Sequence, residues 1–416
     1  MEFSTVTSRI EKDLESLKEF TATPGAGCTR LPFTPEARKA VDYLHKIMEE
    51  AGLEVTEDAA GNIFGTLKGT DPAAPCVMMG SHYDSVANGG NYDGIGGIIS
   101  AVEVARMLKD AGVAPKRNYV VAGFCDEEGM RFGTGYFGSY AMLGRLDVDY
   151  CKHFSDKDGI TVYDAMKSYG LVPEKIKEAA WDTGKIGSFI EVHIEQGRIL
   201  EEEKLDLGLV ESIVGIQRYM FTIHGRSDHA GATPMNMRLD PVLAGCRVIV
   251  KINEWIRELG LGSVATVGYV KAIPGGINVV ASDFEFSVDI RSKDNDIIKE
   301  MVERIKNALD YEVNHYTGGK GSFEYDQKLE VLPVAMTEDY LKKMAKDCDR
   351  HGYSYTRMIS GAGHDSLAIG PVIPTVMLFV PSKNGCSHNR NEYTSYEQFT
   401  KATIVAHDLV CELLDK

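Results

Sequence analysis

Five side chains in this 416-residue chain have the types and settings of metal ligands: His82, Asp93, Glu128, His193 and His388. His82 closes the run Cys76-Val-Met-Met-Gly-Ser-His, and Asp93 lies in the turn Gly89-Gly-Asn-Tyr-Asp-Gly. Glu128 follows an apolar run that begins at Tyr119, within Cys125-Asp-Glu-Glu-Gly. His193 sits inside Phe189-Ile-Glu-Val-His-Ile-Glu-Gln-Gly, and His388 ends Pro381-Ser-Lys-Asn-Gly-Cys-Ser-His. Imidazole nitrogens mixed with carboxylate oxygens form the donor set that borderline divalent ions such as zinc take. The chemistry on offer is metal-assisted hydrolysis.

Each segment also has a plainer reading. Asp84, two residues after His82, can orient the imidazole nitrogen that faces away from an ion, although such a pair also occurs in ordinary cores. The glycines around Asp93 allow a tight turn that brings it to the start of the next helix, where it would otherwise serve as a cap. Asp126, Glu127 and Glu128 place three carboxylates at the end of a buried strand, and their repulsion calls for a cation. One of them can ligate while its neighbour stays free as a base. Glu191, His193 and Glu195 share one strand face, and Gln196 adds an amide beside them. His229-Ala-Gly-Ala-Thr-Pro234 and Ser360-Gly-Ala-Gly-His364-Asp365 can present N–H groups and an imidazole to a developing oxyanion. Arg291 can fork onto a substrate carboxylate or pair with Asp289. His364, His224 and His407 are read as structural rather than as ligands. Ser81 and Ser360 lack a nucleophile elbow, Gly94-Ile-Gly96-Gly97 lacks a phosphate-loop lysine, and no HExxH motif occurs.

The elements that must position these groups follow from periodicity. Ala37, Ala40, Val41, Leu44, Ile47, Met48 and Ala51 predict a helix over 35–51, with Thr34 as N-cap and Pro35 in the first turn. An apolar strand at 76–80, a helix near 95–111 and a second strand at 118–125 predict a parallel sheet buried on both faces, with the ligands at its carboxyl ends. From about 212 the pattern becomes strand, helix, strand (263–271), strand (283–291), helix and a short strand near 321–326, the ferredoxin-like βαββαβ order. The expected fold is α/β: a discontinuous catalytic domain, 1–211 and 331–416, with a mostly parallel central sheet flanked by helices. A dimerisation or lid domain, 212–330, is inserted into it.

Composition narrows the function class. At 44% hydrophobic the chain can build a large core, and 45 basic against 61 acidic residues give a formal charge of −16. That balance gives no electrostatic reason to bind nucleic acid or an anionic membrane. No apolar stretch approaches a membrane span, the first residues lack a secretory pattern, and none of the eight cysteines forms a CxxC pair. A reducing, cytoplasmic setting is expected.

Taken together, six ordered segments resemble the amidohydrolase branch of the dinuclear zinc aminopeptidase/carboxypeptidase superfamily. They are Gly80-Ser-His-Tyr-Asp-Ser-Val, Asp126-Glu-Glu-Gly-Met-Arg-Phe, His193-Ile-Glu-Gln-Gly, His229-Ala-Gly-Ala-Thr-Pro-Met, Ser360-Gly-Ala-Gly-His-Asp and Pro381-Ser-Lys-Asn-Gly-Cys-Ser-His. That branch includes N-carbamoyl-L-amino-acid hydrolases, allantoate amidohydrolases and one class of β-ureidopropionases. The resemblance implies two divalent ions per subunit, zinc first, with manganese or cobalt as alternatives. His82 and His193 would hold one ion, Glu128 and His388 the other, Asp93 would bridge them and Asp84 would orient His82. Glu127 would be the general base and His229 the oxyanion donor. Gln196, Arg218, Asn278, Arg291 and the loop Gly361, Ala362, Gly363 match substrate-contacting positions. The inserted domain would form a homodimer interface. The implied reaction is cleavage of a carbamoyl C–N bond in a small ureido acid. Allantoate amidohydrolase or β-ureidopropionase activity is the near alternative, and an aminoacylase or dipeptidase the distant one. Val279-Val-Ala281 stands where relatives often carry proline; Gln217-Arg218-Tyr219 resembles the allantoate-cleaving members, while His229-Ala-Gly-Ala-Thr suits the carbamoylases.

Overall fold

The structure, a computed structural model, describes residues 2–260 and 262–415. They divide into two compact units, Met1–Glu211 with Met336–Lys416, and Ser212–Ala335.

In the first unit, strands β1 (Glu54–Glu57), β2 (Ile63–Leu67), β3 (Cys76–His82), β4 (Tyr119–Phe124), β5 (Ile186–Ile194) and β6 (Leu207–Ile213) come before the second unit in the chain. β3 and β4 are buried at every position, as expected for strands covered on both faces. β3 pairs in parallel with β4 and with β5. β2 runs antiparallel to β4, and β1 antiparallel to β2. The helix Pro35–Glu50 starts as its sequence predicts: Thr34 Oγ1 accepts from the Ala37 N–H at 3.3 Å, and Pro35 occupies the first turn. The helix Ile95–Asp110 is buried along most of its length, so it reads as apolar nearly all round rather than as a stripe.

The second unit contains β7 (Gly215–His224), β8 (Asp228–His229), the helix Pro241–Leu259, β9 (Val264–Thr266), β10 (Val270–Ile273), β11 (Val279–Val280), β12 (Asp283–Ser292), the helix Asn295–Thr317 and β13 (Ser322–Val331). Its sheet order is β10-β12-β7-β13, with β9 also on β12. Burial alternates strictly along β12, where Phe284, Phe286, Val288 and Ile290 pack on Phe221 and Ile223 and on both helices. Two expectations need correction. The strand expected at 263–271 is two short strands, which meet opposite ends of β12 on either side of Val267-Gly268-Tyr269. Glycine inside a strand pattern commonly marks such an interruption. The last strand extends to Val331, opposite Ile216, and the unit continues to Ala335 rather than ending at 330. A register shift between Gln327 and Leu329 breaks the alternation there and hides that continuation from a pattern reading.

The chain then adds β14 (Val334–Ala335), β15 (Tyr355–Ser360), β16 (Thr375–Val380) and the helix Tyr396–Leu414. β16 inserts between β5, which it parallels, and β6, which it opposes. The four central strands β4-β3-β5-β16 are therefore parallel, and the antiparallel strands lie outside them. No helix among the described residues is long and apolar enough to cross a membrane.

Candidate metal centre

All four parallel strands deliver a donor at their carboxyl ends, where open α/β sheets place their sites. His82 is the last residue of β3 and His193 lies near the end of β5, while Glu128 and His388 follow β4 and β16. Asp93 comes from the loop after β3, just ahead of the helix Ile95–Asp110. Gly94 makes that approach possible: it sits at φ +66°, and a Cβ there would come within 2.3 Å of the His82 ring.

The donors converge on one carboxylate. Asp93 Oδ1 lies 3.3 Å from His82 Nε2 and 3.1 Å from His193 Nε2. His388 Nε2 lies 3.6 Å from Asp93 Oδ2 and 3.2 Å from Glu128 Oε1. Two groups of three, His82–Asp93–His193 and Asp93–Glu128–His388, each keep their ligand atoms within 4.8 Å of one another. Donors about 2.0–2.1 Å from a common tetrahedral centre lie about 3.3–3.4 Å apart, which matches these separations.

Protonation logic supports the same fit. His82 Nδ1 is 3.1 Å from the Asp84 carbonyl, and His193 Nδ1 is 3.0 Å from the Ile194 carbonyl. A carbonyl can only accept, so each Nδ1 carries the proton and each Nε2 presents a lone pair when the ring is neutral. The Gly94 N–H, 3.3 Å from His193 Nε2, points at that lone pair too. Lone pairs then face lone pairs across Asp93 Oδ1, an arrangement that a cation resolves. Residues and chemistry both fit divalent ions.

Surrounding groups hold the donors. Asp84 accepts from the Glu127 and Glu128 N–H groups at 3.0 and 3.2 Å, clamping the acidic turn, and its carboxylate is 3.6 Å from His82 Nδ1. Asp126 occupies the left-handed region at φ 58°, and the strand's direction breaks there. Glu127 Oε2 lies 3.8 Å from His82 Nε2. Burial pushes the Glu127 carboxyl well above its ordinary range; His82 opposes the shift, while Glu128, Asp365 and Asp84 add to it. His388 is lifted to about 9, chiefly by its hydrogen bond to Glu128.

Gln196 donates its amide to Asp93 Oδ2 at 2.7 Å, and Ser387 Oγ donates to the same oxygen at 2.9 Å. The amide oxygen of Gln196 is buried with no hydrogen-bond partner among the described residues. Gly361, Ala362 and Gly363 follow β15. The buried His364 behind them packs its ring 4.4 Å from that of His193 and makes a 2.8 Å contact between Nε2 and Ser360 Oγ. Burial and the neighbouring His193 hold the His364 imidazole well below its ordinary range.

The remaining expected residues belong to the second unit. His229 and Asn278 come together where β8 pairs with β11: His229 opposes Val279, and the Ala230 N–H donates to the Asn278 carbonyl at 3.0 Å. His229 Nδ1 accepts from the Gly231 and Ala232 N–H groups, which leaves Nε2 outward on an exposed side chain. Arg218 and Arg291 both reach Asp289, at 2.7 and 2.9 Å, so a single carboxylate holds the two guanidinium groups side by side.

Two buried acids brace this centre: Glu191, which the sequence places on the His193 face without a role there, and Glu392, which the sequence reading missed. Glu392 accepts from the Tyr92 and Asp93 N–H groups at 3.0 and 3.1 Å and lies 3.3 Å from Ser387 Oγ, tying the Asp93 loop to the His388 loop. Burial and Asp93 raise its carboxyl to about 7. Its signal was Gly90, where any side chain would strike the Glu392 carboxylate. Glu191 accepts from Ser81 Oγ, the Ser366 N–H and Ser366 Oγ at 2.7, 2.9 and 2.6 Å, joining β3, β5 and the loop after Gly363.

Similarity to known proteins agrees with this geometry. Residues 78–412 match the model of peptidase family M20/M25/M40. An N-carbamoyl-L-amino-acid amidohydrolase of Paenarthrobacter aurescens is 37% identical over 95% of both chains. An allantoate amidohydrolase of Escherichia coli is 36% identical over 93% of both. Among solved structures, an amidase of the hydantoinase/carbamoylase family from Burkholderia multivorans superposes with a TM-score of 0.87 at 31% identity, covering 99% of this chain and 98% of that one. With a donor at the carboxyl end of every central parallel strand and likeness along nearly its whole length, the chain belongs to peptidase family M20/M25/M40.

Proposed function

We propose that this hydrolase of non-peptide C–N bonds cleaves the carbamoyl (ureido) bond of an N-carbamoyl-L-amino acid or a closely related ureido acid, releasing ammonia and carbon dioxide. The observation that carries the reading is the convergence of three imidazoles and Glu128 on the shared carboxylate Asp93. The carbamoylase and allantoate-cleaving relatives supply the substrate class.

A ureido carbonyl is a poor electrophile because two nitrogens donate into it. Two divalent ions, one held by His82 and His193, the other by Glu128 and His388, with Asp93 shared, would supply Lewis-acid polarisation and acidify water near neutral pH. Glu127, free of the ligand set and beside His82, takes the proton of the attacking water and later passes it to the departing nitrogen. Its neighbour Glu128 turns away toward His388, so adjacent acids carry separate duties. Gln196 and the backbone of Gly361–Gly363 bind substrate. In this reading His229 steadies the oxyanion, a contact worth about 2.7–4 kcal/mol where such donors have been removed. Asn278 binds substrate, and Arg218 and Arg291 take its carboxylate. The second unit forms the interface of a homodimer, consistent with exposed Val250, Val264 and Val270.

The test is ammonia release from N-carbamoyl-L-amino acids, N-carbamoyl-β-alanine and allantoate by protein loaded separately with zinc, manganese or cobalt. N-acetyl amino acids and dipeptides serve as controls. Cleavage confined to the controls would replace this reading with an aminoacylase or dipeptidase.

A further inference from the structure

A tyrosine stands next to the acidic turn with no role in the reading above. Tyr136 precedes the short helix Phe137–Met142, and its backbone is left-handed, φ 63° and ψ 25°. That region is uncommon for a bulky side chain and costs free energy that the surroundings must offset. Here they do. The Tyr136, Phe137 and Gly138 N–H groups donate to the Glu127, Asp126 and Cys125 carbonyls at 3.0, 3.0 and 2.8 Å. Tyr136 is thus pinned directly across from Glu127. The other left-handed non-glycine residues include Asp126, Gln196 and His388, all at the metal centre.

The position of the phenol is equally specific. A Cβ built on Gly363 would fall 1.8 Å from the Tyr136 hydroxyl, so that oxygen rests on the backbone of the Gly361–Gly363 loop. The residue is half-buried. Burial, then the charges of Glu127, Tyr140, Asp365 and Glu128, push the phenol above its ordinary range, keeping it a protonated donor.

Buried phenols normally give their proton to a partner. Tyr83 donates to the Gly61 carbonyl, Tyr119 to the Ala101 carbonyl and Tyr150 to Thr134 Oγ1, at 2.9, 2.9 and 2.7 Å. The Tyr136 hydroxyl makes no hydrogen bond to any described residue, yet it is not among the polar atoms sealed from solvent. A strained backbone therefore holds an unspent, accessible donor between the proposed base and the proposed substrate loop.

We propose that Tyr136 is a further substrate-binding residue, whose hydroxyl donates a hydrogen bond to the scissile ureido group. The inference rests on the catalytic reading above for its substrate class, and on geometry alone for the residue. Tyr136→Phe removes only the hydroxyl. The expected result is a KM about 10-fold higher on the best ureido acid, with kcat within about two-fold, as for a lost binding contact. Metal content and thermal midpoint should match those of the unaltered protein. An activity-independent arm measures calorimetric binding of the same compound to Glu127→Gln protein with and without Tyr136→Phe, and the second change should weaken binding about 10-fold. A KM and binding constant within two-fold would overturn the proposal. So would a loss accompanied by lower metal content or thermal midpoint, which would make the tyrosine a scaffold residue. If the unaltered protein cleaves only N-acetyl amino acids or dipeptides, the same pair is compared on those substrates. A 10-fold effect there keeps the Tyr136 contact while the ureido reading falls; no effect removes both.

Discussion

Glu127 and Glu128 show how much one backbone conformation decides. Side by side in a regular strand they would point to opposite faces; the left-handed Asp126 ends the strand just before them, and Asp84 clamps both of their N–H groups. Glu127→Gln keeps shape and hydrogen bonding but cannot take a proton. It is expected to retain metal while turnover falls about 10²–10⁴-fold, checked by ammonia release beside elemental analysis. Glu392→Ala removes the acceptor that fixes the Asp93 backbone. Its expected outcome is a 10–100-fold weaker hold on added zinc, read by competition with a chelating dye. The five candidate donors stood out because each follows an apolar run or a glycine turn. Glu392 did not, since a lone acid in sequence looks the same whether it faces water or accepts buried hydrogen bonds. Tyr136 was equally silent, for its strain exists only in the folded backbone.

Elements show a matching contrast. The buried strands Cys76–His82 and Tyr119–Phe124 announced themselves as continuous apolar runs, and β12 by strict alternation. The outer strands did not: β1, Glu54-Val-Thr-Glu57, is mostly exposed and carries no core pattern, and β2, though buried at Ile63, Phe64 and Gly65, is only five residues long. The two helices and the long strands β7 and β12 of the second unit were readable, but not the break in the strand expected at 263–271, where Gly268 interrupts an otherwise suitable run. At the junction of β3 and the helix Ile95–Asp110, the absence of a Cβ is itself functional. Gly94→Ala would force a methyl group into the His82 ring at a left-handed position. It is expected to leave circular dichroism near normal while zinc binding weakens at least 10-fold, measured by equilibrium dialysis.

At the scale of the whole molecule, stability should respond to pH through a cluster on the helix Tyr396–Leu414. Asp408 accepts from Arg350 and His351 and lies 3.4 Å from His407. Burial would lower the His407 imidazole, but hydrogen bonds to Asp408 and Cys411 raise it from 6.5 to about 9. A raised folded value means the protonated form is favoured by folding. The contribution is complete below pH 6.5 and disappears as pH rises through about 9. The thermal midpoint is therefore expected to fall between those limits, and His407→Gln should flatten that part of the profile in a calorimetric series. If the second unit forms a homodimer as proposed, sedimentation should report the mass of two chains.

The place of β16 in the sheet has a consequence for how the chain is made. Although it is the last strand in sequence, it lies in the interior, between β5 and β6, and the loop after it carries His388. A ribosome that has released only the first 213 residues has exposed β5 and β6 with the strand that joins them still missing, a pair of open edges able to capture other chains. Closure of the sheet and completion of the Asp93–Glu128–His388 group thus wait for the same late segment. Until it emerges, the nascent chain holds the His82–Asp93–His193 group without His388.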